Sequence, residues 1–235
     1  MEKAEGLNIT ISDSSISKSD TMKKSEMRII GMFAEDVAKR LNPNEAASSL
    51  GISYASAYNG LAELAKGKVL RRERVGNANV YGLEFGSEAA REALMGVAAE
   101  RREEAYGKYG VGEIIRKTVE RVREELPGLY AAVLFGSVAK GGVRKESDID
   151  LLFILPTEER IKENGRLISD ICSTKGLEGR AISSITVSVK EFRKMLEGEG
   201  NNVAKEAVHG GIPVSGAENF FGLVLGWLKW KGSPI

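Results

Sequence analysis

The apolar positions of the chain change period several times. From Glu26, the residues Met27, Ile30, Phe33, Ala34, Val37 and Leu41 recur at helical spacing, which predicts an amphipathic helix stopping at Asn42-Pro43. Asn44 is suited to cap a short second helix from Glu45 to Leu50. Gly51-Ile52 makes a tight turn, and Ser53 caps a third helix from Tyr54 to about Lys66. Two extended runs follow, Val69 to Val75 and Val80 to Leu83, with Gly76-Asn77-Ala78-Asn79 between them as hairpin-turn residues. Ser87 then opens a long helical stretch with Ala90, Ala93, Leu94, Val97 and Ala98 on one face. The charged run Glu100 to Glu104 reads as its solvated end, and Gly107 and Gly110 break it. Val111, Ile114, Ile115, Thr118, Val119, Val122 and Leu126 form the cleanest helical stripe, ended by Pro127-Gly128.

After Leu129 the runs become short. Tyr130 to Phe135 and Ile149 to Leu155 read as buried strands, Thr157 to about Lys175 as a helix, and Ala181 to Val189 as a β-branched strand. Helical pieces follow at Glu191 to Leu196, Asn202 to Val208 and Glu218 to Trp230, the last two separated by Gly210-Gly211-Ile212-Pro213. No internal repeat is visible. The chain thus divides into a Ser- and Lys-rich mobile tail (1–25), a first module (26–86), a helical connector with the first helix of the next domain (87–128), and a second module (129–235).

Composition narrows the chemistry. A net charge of +1 gives no global footprint for nucleic acid, so any such contact must come from local clustering. Cys172 is the only cysteine, which excludes an intrachain disulfide and favours a reducing, cytoplasmic setting. With one cysteine and one histidine (His209), a Cys/His zinc site within the chain is excluded, so a metal would be held by carboxylates, as a hard ion such as magnesium is. No signal-peptide core is expected at the N-terminus, and the apolar stretch Phe220 to Trp230 is too short to span a bilayer, so no membrane partner is expected.

The order helix, helix, turn, helix, hairpin is similar to a winged helix-turn-helix. In the segment Ala47 to Ser53, a small Ala47 permits close helix crossing, Leu50 and Ile52 fill the core, and Gly51 makes the turn. That resemblance implies a DNA partner, read by the outward N-terminal residues of the third helix: Ser53, Tyr54, Ser56 and Asn59, with Tyr58 beside them. Between Lys66 and Arg74, five basic residues (Lys66, Lys68, Arg71, Arg72, Arg74) face one acid (Glu73), a local +4 suited to phosphate contacts by Arg71, Arg72 and Arg74. The bland alternative is a dimerisation module with Tyr54 and Tyr58 partly in its core.

In the second module, Leu134-Phe135-Gly136-Ser137 is followed, ten residues on, by Asp148-Ile149-Asp150. Strand positions two apart face the same side, so Asp148 and Asp150 project together and repel unless a cation sits between them. Gly136 permits close backbone approach to phosphate, and Ser137 can donate to its oxygens. This stretch resembles the signature of the DNA polymerase β-like nucleotidyltransferases, particularly their minimal branch, over roughly residues 111 to 190. The resemblance implies an α+β fold with a small mixed sheet, helices on one side and a helical C-terminus. It also implies two Mg²⁺ ions on Asp148 and Asp150 as the catalytic carboxylates, and a nucleoside triphosphate, ATP foremost, held through Gly136 and Ser137. A hydroxyl would attack the α-phosphorus, on a protein acceptor or a small molecule. Lys140, Arg144 and Lys145 are loop cations that either touch phosphate or are merely solvated. Active members supply a third carboxylate from the next strand, but Ala181 to Val189 holds no acid; Ser184, Thr186 and Ser188 form the polar face where one is expected. His209 reads as a turn residue. Phe220, Phe221, Leu223, Val224, Trp227, Leu228 and Trp230 read as a packed helix face, or, if exposed, as the contact of a homodimer. Two readings follow: a transferase tethered to DNA, or a DNA-binding regulator whose transferase domain only senses a nucleotide.

Overall fold

The computed structural model describes residues 22–142, 148–173 and 181–230; the expected tail, Arg144 and Lys145 lie outside them, apart from the tail's last four residues. The first helix, α1 (Lys24–Glu35), buries Ile29, Ile30, Met32, Phe33 and Ala34. It ends at Glu35, well before Leu41, the last apolar position of the predicted helix. The Asp36 carboxylate accepts from the Ala38 N–H at 3.1 Å, a local bond that competes with the helical one. Val37 and Leu41 are buried nonetheless, because Leu41 leaves the helix to bridge Tyr81 through two backbone hydrogen bonds of 2.9 and 2.8 Å.

Helix α2 (Pro43–Leu50) is capped by Asn42 rather than Asn44: its side chain accepts from the N–H groups of Asn44 and Glu45, and Glu45 returns a bond to the Asn42 N–H. Pro43 suits the first helical position because its missing N–H would have no helical partner there. Ser53 caps α3 (Tyr54–Lys66) as expected. The hairpin β1 (Leu70–Val75) and β2 (Ala78–Leu83) closes through a two-residue turn, Gly76-Asn77, shorter than the four-residue turn expected. Helix α4 (Glu88–Tyr109) runs through the charged segment and Gly107, ending on left-handed Gly110. The charged run is therefore mid-helix, not a frayed end.

The connector's second helix is α5 (Gly112–Glu125). Beyond it come β3 (Ala131–Phe135), the one-turn α6 (Gly136–Ala139), β4 (Ile149–Leu155), α7 (Glu158–Ser173), β5 (Ile182–Ser188), α8 (Val189–Glu197) and α9 (Val203–Val208). The chain finishes with β6 (Ile212–Ser215) and α10 (Ala217–Trp230). Strand β6 was not expected; its Gly-Gly and Pro read as a loop, yet Ile212 and Pro213 pair with β3 beside a register shift. The sheet order is β5-β4-β3-β6, with β4/β5 parallel and the other pairs antiparallel. It is a small mixed sheet, as expected.

Helices cover both faces, not one. Alternation along β3 sends Ala131, Val133 and Phe135 into a core shared with Phe192, Ala204, Ala207 and Phe220 from α8, α9 and α10. Ala132 and Leu134 enter the other core, with Ile115, Val119, Ile168 and Ile171 from α5 and α7. The first core continues through Ala90, Leu94 and Val97 of α4 into Ile30, Phe33 and Tyr81 of the N-terminal module. The face of α10 from Phe220 to Leu228 is largely buried in it, which removes that stripe as a subunit contact; only Trp230, 74% exposed, projects.

Tyr81 is fully buried, and among the described residues its hydroxyl has no hydrogen-bond partner. An unmade bond of that kind costs on the order of 1 kcal/mol or more. Tyr81→Phe is therefore expected to raise stability by about 1 kcal/mol, read as a higher denaturation midpoint; a lower midpoint would count against this packing.

Candidate functional site

The chemistry gathers where β3 ends and β4 begins. Phe135 pairs with Asp150 across the antiparallel ladder, so the chain leaves β3 directly beside the Asp150 carboxylate. Asp150 shares its face with Leu152 and Ile154, the face covered by α8, α9 and α10. Gly136 makes the exit with φ +70°, a left-handed conformation that favours glycine. A Cβ there would overlap the Asp150 carboxylate. Glycine at 136 is thus required twice, by the turn and by the acid beside it. Ser137 is half-buried and its carbonyl accepts from the Gly142 N–H at 3.0 Å, while the Gly136 carbonyl accepts from the Lys140 N–H at 3.3 Å.

Asp148 is exposed and Asp150 half-buried. Burial raises the Asp150 pKa above the usual carboxylate value; the Ser183 hydroxyl opposes this by stabilising the charged form, and the negative charges of Asp148 and Glu206 raise it further. Two acids two positions apart, with the negative charge of Glu206 also acting on Asp150, suit a divalent cation. Magnesium keeps several waters and takes one or two carboxylates plus phosphate oxygens, so two protein ligands suffice. Among the described residues, no three His, Cys, Asp or Glu side chains converge closely enough to hold a metal by themselves.

The face of β5 that meets Asp150 is not the one expected. Asp150 pairs in parallel register with Ser183, so Ser183 and Ile185 belong beside it. Ser184 lies toward Cys172, which its hydroxyl contacts, and Thr186 shares that side. The acid-free character of the strand stands, but the position opposite Asp150 is Ser183. Glu206, on α9, was not singled out; nothing in its local sequence distinguishes it from other solvated glutamates. It is half-buried and tied to Asn201 by a 3.0 Å hydrogen bond.

Beside the Gly136 turn lies a cleft of about 610 Å³, lined by Glu35, Arg101, Glu104, Lys140, His209 and Gly210 among others. The Arg101 guanidinium donates to the Gly210 carbonyl at 2.9 Å. Burial pushes its pKa down, and Glu35 and Glu104 push it back up. His209 caps α9, and its Nε2 stands 3.7 Å from the Asp36 carboxylate. The cleft therefore joins the end of α1 to the turn after β3.

In the N-terminal module, Ser53, Tyr54, Ser56 and Asn59 are all exposed on α3, whose opposite face buries Ala57, Gly60, Leu61 and Leu64. Tyr54 and Tyr58 are 53% and 38% exposed and stack with centroids 6.2 Å apart, so neither is a core residue. The Ser53 hydroxyl is engaged with Ser56 as the cap. On β1, Arg72 and Arg74 are exposed, with Arg74 Nε 3.4 Å from the Gly76 carbonyl. Arg71 lies on the other side of the strand, paired with Glu73 at 2.9 Å and stacked 4.7 Å over the Phe85 ring.

Because the folded-state pKa of Asp150 is raised, its ionisation opposes folding: the native state holds its proton to higher pH than the unfolded chain, so stability falls as pH rises through that interval. Asp150→Asn is expected to melt higher than wild type at neutral pH, with the difference vanishing below the usual aspartate range. Gly136→Ala is expected to cost about 1–3 kcal/mol from the left-handed φ alone, and more from displacing Asp150; thermal denaturation of both variants across pH measures each.

Residues 115–200, from within α5 to just past α8, match the family model of the nucleotidyltransferase domain. No curated protein and no solved structure matches the chain. Among the described residues, no helix is long and apolar enough to cross a membrane. The matched segment contains the Gly136-Ser137 exit from β3 and both aspartates of β4, which supports a general nucleotidyl-transfer chemistry for this domain.

Proposed function

We propose that this protein is a magnesium-dependent nucleotidyltransferase that moves a nucleotide, AMP foremost, from a nucleoside triphosphate onto a hydroxyl acceptor, and that its N-terminal module is a winged helix that binds DNA. The contact of Gly136 with the Asp150 carboxylate carries the first part. It joins the phosphate-approach turn to the acid of β4 within a segment that matches the nucleotidyltransferase domain. In this reading Gly136 and Ser137 hold the β- and γ-phosphates, and Asp148 and Asp150 hold the metal, which would neutralise the charge developing on the phosphates. Attack by the acceptor oxygen on the α-phosphorus releases pyrophosphate.

The acceptor proton needs a base. Ser183 is a poor one at neutral pH. Glu206, whose charge acts on Asp150, is an acid that the sequence pattern does not assign, and in this reading it takes that role. The acid-free β5 also favours a second reading, in which the domain binds the nucleotide without turning it over and acts as a sensor for the DNA-binding module.

α-Labelled ATP offered with Mg²⁺ and candidate protein and small-molecule acceptors separates the two. Label transfer is expected from wild type and not from Asp148→Asn/Asp150→Asn, while Glu206→Gln binds ATP normally but transfers on the order of 100-fold more slowly. Saturable ATP binding with no transfer to any acceptor supports the sensor.

For DNA, exposure favours Arg72 and Arg74 as phosphate contacts, and Tyr54, Ser56 and Asn59 as the groups that reach the groove. Arg71, held by Glu73 and Phe85, and Ser53, held as a cap, contribute through position. Arg72→Ala/Arg74→Ala is expected to weaken binding to all sequences alike and to reduce the salt slope by about 2, one for each phosphate contact. A gel shift unchanged at low and high salt would sink the wing contact.

A further inference from the structure

The serines of β5 are divided among different tasks. Ser188 closes the strand as the cap of α8, accepting from the Glu191 N–H at 3.0 Å. Ser184 lies on the α7 side of the sheet, where its hydroxyl contacts the Cys172 thiol. Ser183 lies on the opposite face, and its hydroxyl donates to the Asp150 carboxylate. Ser183 is exposed, so packing does not dictate its identity; a solvated position of this kind tolerates most side chains at little cost in stability. Its chemistry is spent on Asp150.

Asp150 is flanked from both sides. The strand order β5-β4-β3 puts Ser183 on one side of it and the exit from β3 on the other. On the β3 side, its Oδ2 lies against Gly136, where a Cβ would overlap it. On the β5 side stands the Ser183 hydroxyl. The Asp148 side chain, by contrast, is exposed and makes no hydrogen bond among the described residues. A carboxylate turns readily about its last torsion, which has broad rather than staggered preferences. Backbone on one side and a donor on the other restrict that turning for Asp150 alone.

We propose that Ser183 is a positioning residue of the metal site, its hydroxyl holding the Asp150 carboxylate in the orientation that accepts a divalent cation. This rests on the reading of Asp148 and Asp150 as the metal ligands. Magnesium demands near-octahedral geometry with oxygens at about 2.0–2.1 Å, so the orientation of each ligand counts, and most where the protein supplies two. A neutral donor suits the place for a second reason: it adds no further negative charge to those of Asp148 and Glu206, which already act on Asp150. Hydrogen-bond partners of ligating carboxylates are worth about 10–100-fold in metal affinity.

Mn²⁺ added without nucleotide, and followed by the loss of the free-ion electron paramagnetic resonance signal, reads the site without turnover. Titration at about pH 8, well above the carboxylate range, keeps protonation out of the comparison. Ser183→Ala is expected to bind Mn²⁺ about 10–100-fold more weakly than wild type. Ser183→Thr, which keeps the hydroxyl, is expected to bind as wild type does. So is Ser184→Ala, one residue along on the opposite face. Asp150→Asn tests the metal reading itself. If Asp150→Asn abolishes binding while Ser183→Ala leaves it unchanged, the metal site stands and the role of Ser183 is overturned. A loss that Ser183→Thr fails to restore, or that Ser184→Ala shares, overturns it equally. Wild type that binds no Mn²⁺ removes the metal reading, and the role of Ser183 with it.

Discussion

Everything at the candidate site depends on the absence of one carbon atom. The backbone at Gly136 passes so close to the Asp150 carboxylate that a Cβ would occupy the acid's own space. The left-handed φ at that residue turns the chain out of β3 at the same point. The ladder pairs Phe135 with Asp150, so neither strand can slip without separating the turn from the acid. Register, turn and charge are therefore one constraint. The hydrophobic alternation of β3 and β4 enforces it from below, since a one-residue slip would move every buried side chain of the strand to the wrong core.

The site is held at a cost in the electrostatics of the acid it contains. Partial burial and two negative neighbours push Asp150 toward its neutral form, and only the Ser183 hydroxyl offsets them. A fold selected for stability alone would place asparagine there. A cation bound beside Asp150 would relieve that strain, and would thereby link its own binding to the stability of the strand ends. The position beside Asp150 is filled by a neutral donor, and the remaining negative charge comes from α9, an element built for a different packing task through Ala204 and Ala207.

Most of this architecture could be read from the sequence, and the failures have physical causes. Long stripes such as Val111 to Leu126 were legible because burial on one face repeats at the helical period. The end of α1 was not, because Val37 and Leu41 keep that period while Asp36 diverts the backbone locally. Strand β6 was hidden by Gly-Gly and Pro, residues that suit a protected edge as well as a loop. The closeness of the Gly136 turn to Asp150 was legible from the spacing of the motif, and the β3–β4 ladder brings the two together. The partner of Asp150 on β5 was not, because register between parallel strands is fixed by packing across the sheet and not by any local signal. Glu206 and Arg101 escaped for a related reason: each is an ordinary charge in its own helix and acquires meaning only from an element distant in the chain.

The cleft between Arg101, Lys140 and His209 gives these distant elements a common border. The end of α1 contributes Glu35 and, through Asp36, faces His209, which caps the helix that carries Glu206. On the other side, the Arg101 hydrogen bond ties α4 to the turn before β6. A shift of α1 relative to the sheet would thus act first on His209, at the start of the α9–β6 turn, and only then on Asp150. The shared core of α1, α4 and α10 resists such a shift, because its side chains interlock across both modules.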